Sequence, residues 1–202
     1  MLPDLEIIKL PHIGMELYTV KDPLKAIKPN ACDLYAYFWP AGLLCAEYIF
    51  KNRLKGKMLE IGCGNGISGV MALKIGADSV HFTDISKDAL DLSKLNCTLN
   101  NVENATFDIL DWFNLPDYNE KYDYIISSDC LYLSRAFPKL KLILQNYLKR
   151  DGMALFVDSG RGLIEDFIDR LDEFTVNRID SHNVTTLAGS LKLSTTLEIR
   201  FK

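Results

Sequence analysis

From Lys57 onward, short apolar runs rich in β-branched residues alternate with longer stretches in which apolar side chains recur every three or four positions. This is the pattern of a parallel sheet with crossover helices on both faces, because a strand buried on both sides needs a helix against each. It predicts strands at Met58–Ile61, Ser79–Thr83, Ala105–Leu110, Tyr122–Ser127 and Met153–Val157. Helices are predicted around Ile67–Ile75, Lys87–Asn100, Pro138–Leu148 and Gly162–Leu171. Two further β-like pieces, Phe174–Ile179 and Leu193–Phe201, have no helical stretch of useful length between them. They read as a hairpin-like pair joined by a loop over Thr185–Ser190, with the last strand antiparallel to its neighbours. Residues 1–30 hold Pro3, Pro11, Pro23 and Pro29 with little periodicity, so they are expected to strap onto a single domain over residues 31–202. Pro40, ahead of AGLLCAEYIF, suits the first turn of a helix, where its missing N–H has no partner to lose.

Composition narrows the functional classes. A length of 202 residues fits one compact domain and is short for two. The 23 basic and 27 acidic residues give a net charge of −4, so no global field draws this surface to nucleic acid or anionic lipid. The longest apolar stretches, such as Trp39–Ala46, fall well short of the roughly 20 residues of a membrane-spanning helix. Asp4 and Glu6 stand where a secretory leader carries basic residues, so a cytoplasmic location is expected. Five cysteines, odd in number and without a CxxC pair, argue against a zinc site or a disulfide framework and read as buried reduced thiols. His12, His81 and His182 are scattered along the chain and build neither a metal cluster nor a nucleophile triad.

The densest chemical signal is Leu59-Glu60-Ile61-Gly62-Cys63-Gly64-Asn65-Gly66, an acid at a strand end followed by three glycines at alternate positions. Without Cβ atoms the backbone can turn tightly out of the sheet and lie flat against a ligand, beside the free N–H groups of the helix that follows. Two cofactors fit such a loop. Gly64-Asn65-Gly66-Ile67-Ser68-Gly69 matches the dinucleotide fingerprint GxGxxG, with Asp84 twenty residues beyond Gly64. The longer Glu60-x-Gly62-x-Gly64-x-Gly66 also accounts for the acid, which the pyrophosphate of NAD would repel and the ammonium and sulfonium of S-adenosyl-L-methionine would favour. Asp84, at the end of the second of these strands, can accept from both ribose hydroxyls of either cofactor, or simply start the next helix. After the third strand, Asp111 can accept from an adenine amino group or serve as a turn residue, while Trp112 or Ile85 covers the ring face.

At these positions the chain resembles class I S-adenosylmethionine-dependent methyltransferases, over roughly Asp33 to Lys202. Within that class, Tyr37-Phe38-Trp39-Pro40-Ala41-Gly42 resembles the aromatic-Trp-Pro segment ahead of the cofactor loop in protein lysine methyltransferases. Leu95-Asn96-Cys97-Thr98-Leu99-Asn100 resembles their LNC-x-LN segment, and Val157-Asp158-Ser159-Gly160-Arg161 their D-P-G-R turn. These segments resemble those of the electron-transfer-flavoprotein β-subunit lysine methyltransferases and their bacterial relatives. It implies a Rossmann-like, seven-stranded methyltransferase sheet. It also implies that Glu60, Gly62, Cys63, Gly64 and Gly66 hold the methionine part of the cofactor, Asp84 the ribose, and Ile85, Asp111 and Trp112 the adenine. Trp39 would close over the methionine end, or belong to the core.

Tyr124-Ile125-Ile126-Ser127-Ser128-Asp129-Cys130-Leu131-Tyr132 leaves the sheet at the edge where ligands bind in open α/β folds. The family pattern has Gly-Asp followed by an aromatic-Tyr step, so Asp129 and Tyr132 match as candidate catalytic residues. Ser128, on the cofactor side, replaces the glycine. An NPPY-type turn that grips planar amides is absent. Asp129 is assigned to binding and orienting the acceptor amine and Tyr132 to lining its channel, or to packing on Phe137. Arg161 can clamp an acidic group on the substrate or pair with Asp158. These readings lead to an N-methyltransferase acting on a lysine side chain of a protein, with S-adenosyl-L-homocysteine as product. The rivals are a small-molecule N- or O-methyltransferase of the nicotinamide type and a non-catalytic nucleotide-binding module.

Overall fold

The computed structural model describes residues 2–26, 33–117, 119–160, 162–185 and 191–202. Seven strands form one mixed sheet: β3 (Lys57–Ile61), β4 (Ser79–Asp84), β5 (Ala105–Ile109), β6 (Tyr122–Ser128), β7 (Leu148–Asp158), β8 (Phe174–Thr185) and β9 (Leu191–Phe201). Their order is β5-β4-β3-β6-β7-β9-β8. The chain steps outward from β3 to β5, then returns to β6 on the other side of β3. The strand ends of β3 and β6 therefore flank a topological switch point, the crevice where open α/β sheets take ligands. β9 runs antiparallel to both β7 and β8, as expected from the missing crossover helix.

Alternation along the strands decides which helices cover which face. Met58, Val80, Phe82, Ile126, Leu155 and Val157 pack with Cys45, Ala46 and Ile49 of α2 (Pro40–Asn52) and Val70 and Met71 of α3 (Ile67–Lys74). The same face borders α4 (Lys87–Leu99) through Leu90 and Cys97. The opposite residues, Leu59, Ile61, Ile125, Ala154 and Phe156, meet Leu140, Ile143 and Leu144 of α5 (Phe137–Tyr147) and Phe167 of α6 (Ile164–Ile168). No helix among the described residues is long and apolar enough to cross a membrane.

The sequence pattern differs from the fold in three places. The proline-marked N-terminal stretch carries a hairpin, β1 (Leu5–Leu10) with β2 (Met15–Val20), followed by the single turn α1 (Pro23–Ala26). Met15, Leu17 and Thr19 are buried while Glu16 and Tyr18 are half-exposed, a period of two that the surrounding prolines obscure. α6 is only five residues long, half the expected helix. β8 and β9 pair from Phe174↔Phe201 to Thr185↔Leu191, beyond the last pair of β9 with β7 at Asp158↔Thr195. Residues 186–190 of the expected loop, together with Arg161 and Cys32, lie outside the described residues. The other four cysteines are free and buried.

Candidate active site

β3 delivers Glu60 and Ile61 to the switch point, and the next five residues turn back into α3. Gly62, Gly64 and Gly66 have φ of +64°, +54° and +73°, the left-handed region that a side chain disfavours. Their surroundings differ. A Cβ on Gly62 would lie 2.6 Å from Cys130 Sγ and 3.4 Å from Trp112 Cζ2, and one on Gly66 would lie 2.8 Å from Ser93 Oγ. Gly64 has open space: a Cβ there would meet only Tyr35 Cα at 4.0 Å. The middle glycine is thus the one whose backbone lies bare toward the crevice.

Asp84 closes the loop from the end of β4. Its Oδ2 accepts from Gly64 N at 3.0 Å and its Oδ1 from Ser86 N at 2.9 Å. Burial raises its pKa, against the lowering pull of these backbone donors. A carboxylate has about four acceptor positions, so capacity remains for a ligand donor. Ile85 follows at 49% exposed, an apolar surface beside that carboxylate. Ser93 Oγ donates to Gly64 O at 3.0 Å and approaches Cys63 Sγ at 3.4 Å, and Asn96 Nδ2 donates to Asn65 O at 2.8 Å.

Glu60 sits beneath the loop and does not line its open side. It is 2% exposed, and its Oε2 accepts from Gly69 N at 3.1 Å. Burial pushes its pKa up to about 8, which the Gly69 and Ser68 donors only partly offset. A direct contact between this carboxylate and a cationic ligand, as the sequence suggests, is not what the geometry offers. Asp111 follows the turn reading in one oxygen: its Oδ1 accepts from Phe113 N at 2.9 Å. Trp112 is half-buried, lies over Gly62 and packs against the α5 face of the core. Trp39 stands at the N-terminus of α2, its Nε1 donating to Leu34 O at 2.8 Å and its ring 5.4 Å from that of Tyr37.

Asp129 is 5% exposed and adopts φ +54°, a conformation that Asp tolerates better than most residues. The sequence reading gives it to an acceptor amine. In the fold its carboxylate is engaged by the protein itself: Oδ1 by Ser159 N at 3.0 Å, Oδ2 by Ser159 Oγ at 2.9 Å and Ala41 N at 3.2 Å. It therefore braces the first turn of α2 against the turn after β7. Ser128 Oγ lies 3.7 Å from where a Cβ on Gly42 would be, against α2. Tyr132 is 43% exposed in the loop after β6. Ser93, Asn96, Cys130 and Ser159 were not predicted as site residues; Asn96, Cys130 and Ser159 lie in segments that the sequence singles out, and Ser93 carried no signal. A cavity of about 260 Å³ lined by Lys55, Asp78, Asp123 and Arg200 lies at the opposite edge of the sheet, around the starts of β3, β4 and β6 and the middle of β7.

A glycine loop after β3, an acid closing it from β4, and an antiparallel strand inserted beside β7 define the Rossmann-like methyltransferase class. The crystal structure of ribosomal protein L11 methylase from Lactobacillus delbrueckii subsp. bulgaricus superposes with a TM-score of 0.62 at 22% identity, covering 80% of this chain and 77% of that one, a likeness of fold. The family described as lysine methyltransferase matches residues 22–174, and the chain belongs to it. It is 28% identical over 186 residues to the electron transfer flavoprotein beta subunit lysine methyltransferase homolog of Caenorhabditis elegans, over 89% of this chain and 68% of that protein. It is 33% identical over 122 residues to the histidine protein methyltransferase 1 homolog of Dictyostelium discoideum, over 56% of this chain and 39% of that protein. The chain thus spans only part of the length of the curated relatives it matches.

Proposed function

We propose that the chain binds S-adenosyl-L-methionine on the glycine loop and transfers its methyl group to a lysine side chain of a protein in the cytoplasm, leaving S-adenosyl-L-homocysteine. The observation that carries the donor site is Gly64, with a left-handed backbone, open space where a Cβ would stand, and an N–H fixed by Asp84. Such a cradle fits a flat, extended ligand with hydroxyls near the acid. Asp84 would hold the ribose, with Ile85, Asp111 and Trp112 around the adenine. Gly62, Cys63, Gly64 and Gly66 would hold the methionine part through their backbone, near Trp39 and Ser128. Glu60 would act from below, fixing the first turn of α3 behind the loop through Gly69 N. When bound, the donor supplies a methyl group already activated by its sulfonium.

The protein's part is to align and desolvate the acceptor. An amine attacks only in its neutral form, and a lysine starts near pKa 10.4, so a channel that excludes water favours the reactive state. Tyr132 would line that channel. Asp129 serves as a positioning residue, since its oxygens already hold Ser159 and Ala41. A protein acceptor is supported by relatives whose names specify a flavoprotein lysine and a protein histidine.

The test is transfer of labelled methyl from the donor in cell extract. Label is expected in a protein band, with donor affinity falling roughly a hundredfold in Asp84→Ala as its backbone and ligand hydrogen bonds are lost. Label confined to small molecules would overturn the acceptor. A chain that binds NAD and ignores the methyl donor would overturn the site.

A further inference from the structure

The repeated Leu-Asn step in α4 does something the donor site alone does not require. Asn96 is fully buried, and both amide hydrogens and the carbonyl oxygen of its side chain are hydrogen-bonded. Oδ1 accepts from Tyr18 N at 2.6 Å, while Nδ2 donates to Tyr18 O at 3.1 Å and to Asn65 O at 2.8 Å. One turn later Asn100 repeats the strand half of this pattern, accepting from Glu16 N at 3.4 Å and donating to Glu16 O at 2.6 Å. Four residues of helix rise about 6 Å and two residues of strand about 6.8 Å, so the two asparagines match successive outward-facing residues of β2. β2 thereby gains a substitute partner strand made of side chains. On the same side of α4, Ser93 Oγ holds Gly64 O. Two consecutive carbonyls of the glycine loop are drawn toward α4, away from the bare face of Gly64.

We infer that Asn96 is a positioning residue that couples the N-terminal hairpin to the glycine loop, so that docking of β2 is part of what holds the loop ready for the methyl donor. Its two N–H groups bind the hairpin and the loop at once. If β2 leaves, Asn96 loses two of its three bonds, and the remaining one no longer fixes the carboxamide plane. Linkage makes the effect reciprocal: a ligand that orders the loop tightens the hairpin by the same factor. The ligand half of this inference rests on the donor-site reading. The coupling itself does not.

Two variants of the full chain test it. Asn100→Ala removes bonds to Glu16 and to its own helix and leaves every loop contact in place. Asn96→Asp keeps the acceptor for Tyr18 N but sets oxygen against Asn65 O and Tyr18 O. Amide hydrogen exchange is followed without ligand. In Asn100→Ala, exchange at Tyr18 is expected to quicken roughly tenfold and exchange at Gly64 and Gly66 to quicken with it severalfold, while β9 amides keep their rates. Faster exchange at Tyr18 with wild-type rates at Gly64 and Gly66 would overturn the coupling. S-adenosyl-L-homocysteine affinity forms the second arm. It is expected to fall about threefold in Asn100→Ala and tenfold or more in Asn96→Asp, the donor KM rising in step while kcat stays within twofold. Affinities equal to wild type in both variants would overturn the positioning role. A wild-type chain that binds no S-adenosyl-L-homocysteine would instead remove the donor-site reading, with the exchange arm still deciding the coupling.

Discussion

Replacing Glu60 with glutamine isolates one buried charge. The carboxyl sits under the loop at 2% exposure, accepts from Gly69 N and has its pKa pushed by burial up to about 8. At pH 7 the folded protein therefore holds this group protonated by about ten to one, whereas the unfolded chain has it ionised. The folded value lies above the unfolded one, so the folded state binds the extra proton and stability falls as pH rises between the two. The slope is about 1.4 kcal/mol per pH step, or about 4 kcal/mol from pH 5 to pH 8. Glutamine presents the same oxygen to Gly69 and carries no titrating proton. Denaturant unfolding of Glu60→Gln and wild type across that range should give nearly equal stabilities at pH 5 and a variant more stable by several kcal/mol at pH 8. Burial also holds His81 below its ordinary value. That makes stability rise with pH near the ordinary histidine range, opposite to Glu60, and the difference between the two proteins cancels it. Parallel curves would refute the reasoning, since they would mean that Glu60 is ionised in the folded protein at neutral pH.

Gly66→Ala should lower stability by about 2–4 kcal/mol, because the new Cβ combines a left-handed φ with a 2.8 Å approach to Ser93 Oγ. Calorimetric melting checks this, and a loss below about 1 kcal/mol would mean that the loop and α4 separate easily. Asp129→Asn keeps one acceptor oxygen and turns N–H groups toward donors on Ser159 or Ala41. It should cost about 1–3 kcal/mol in denaturant unfolding and slow methyl transfer through a loosened α2 start. A variant of wild-type stability would show that the brace carries no energy.

The sheet was legible because burial forces its pattern. β3, β6 and the second half of β7 are covered on both faces and carry short, largely apolar runs, β4 alternates Val80 and Phe82 with His81 and Thr83, and the left-handed turns after β3 leave glycine as their trace. What stayed hidden depends on partners remote in sequence. The alternation of Met15, Leu17 and Thr19 belongs to a strand that pairs with β1 on one edge, while Asn96 and Asn100, some eighty positions on, satisfy its other edge. Glu60 was given to a ligand because an acid ahead of the glycines suits a cationic donor, and Asp129 because it matches the family's Gly-Asp step. Their carboxylates turn inward for a shared reason. The backbone leaves the sheet sharply after each strand, freeing N–H groups in the adjoining first turns of α3 and α2, and a buried acid is the nearest acceptor. With Glu60 buried and protonated near neutral pH, charge complementarity toward a cationic donor falls to Asp84, whose carboxylate stands across the mouth of the loop beside the bare glycine.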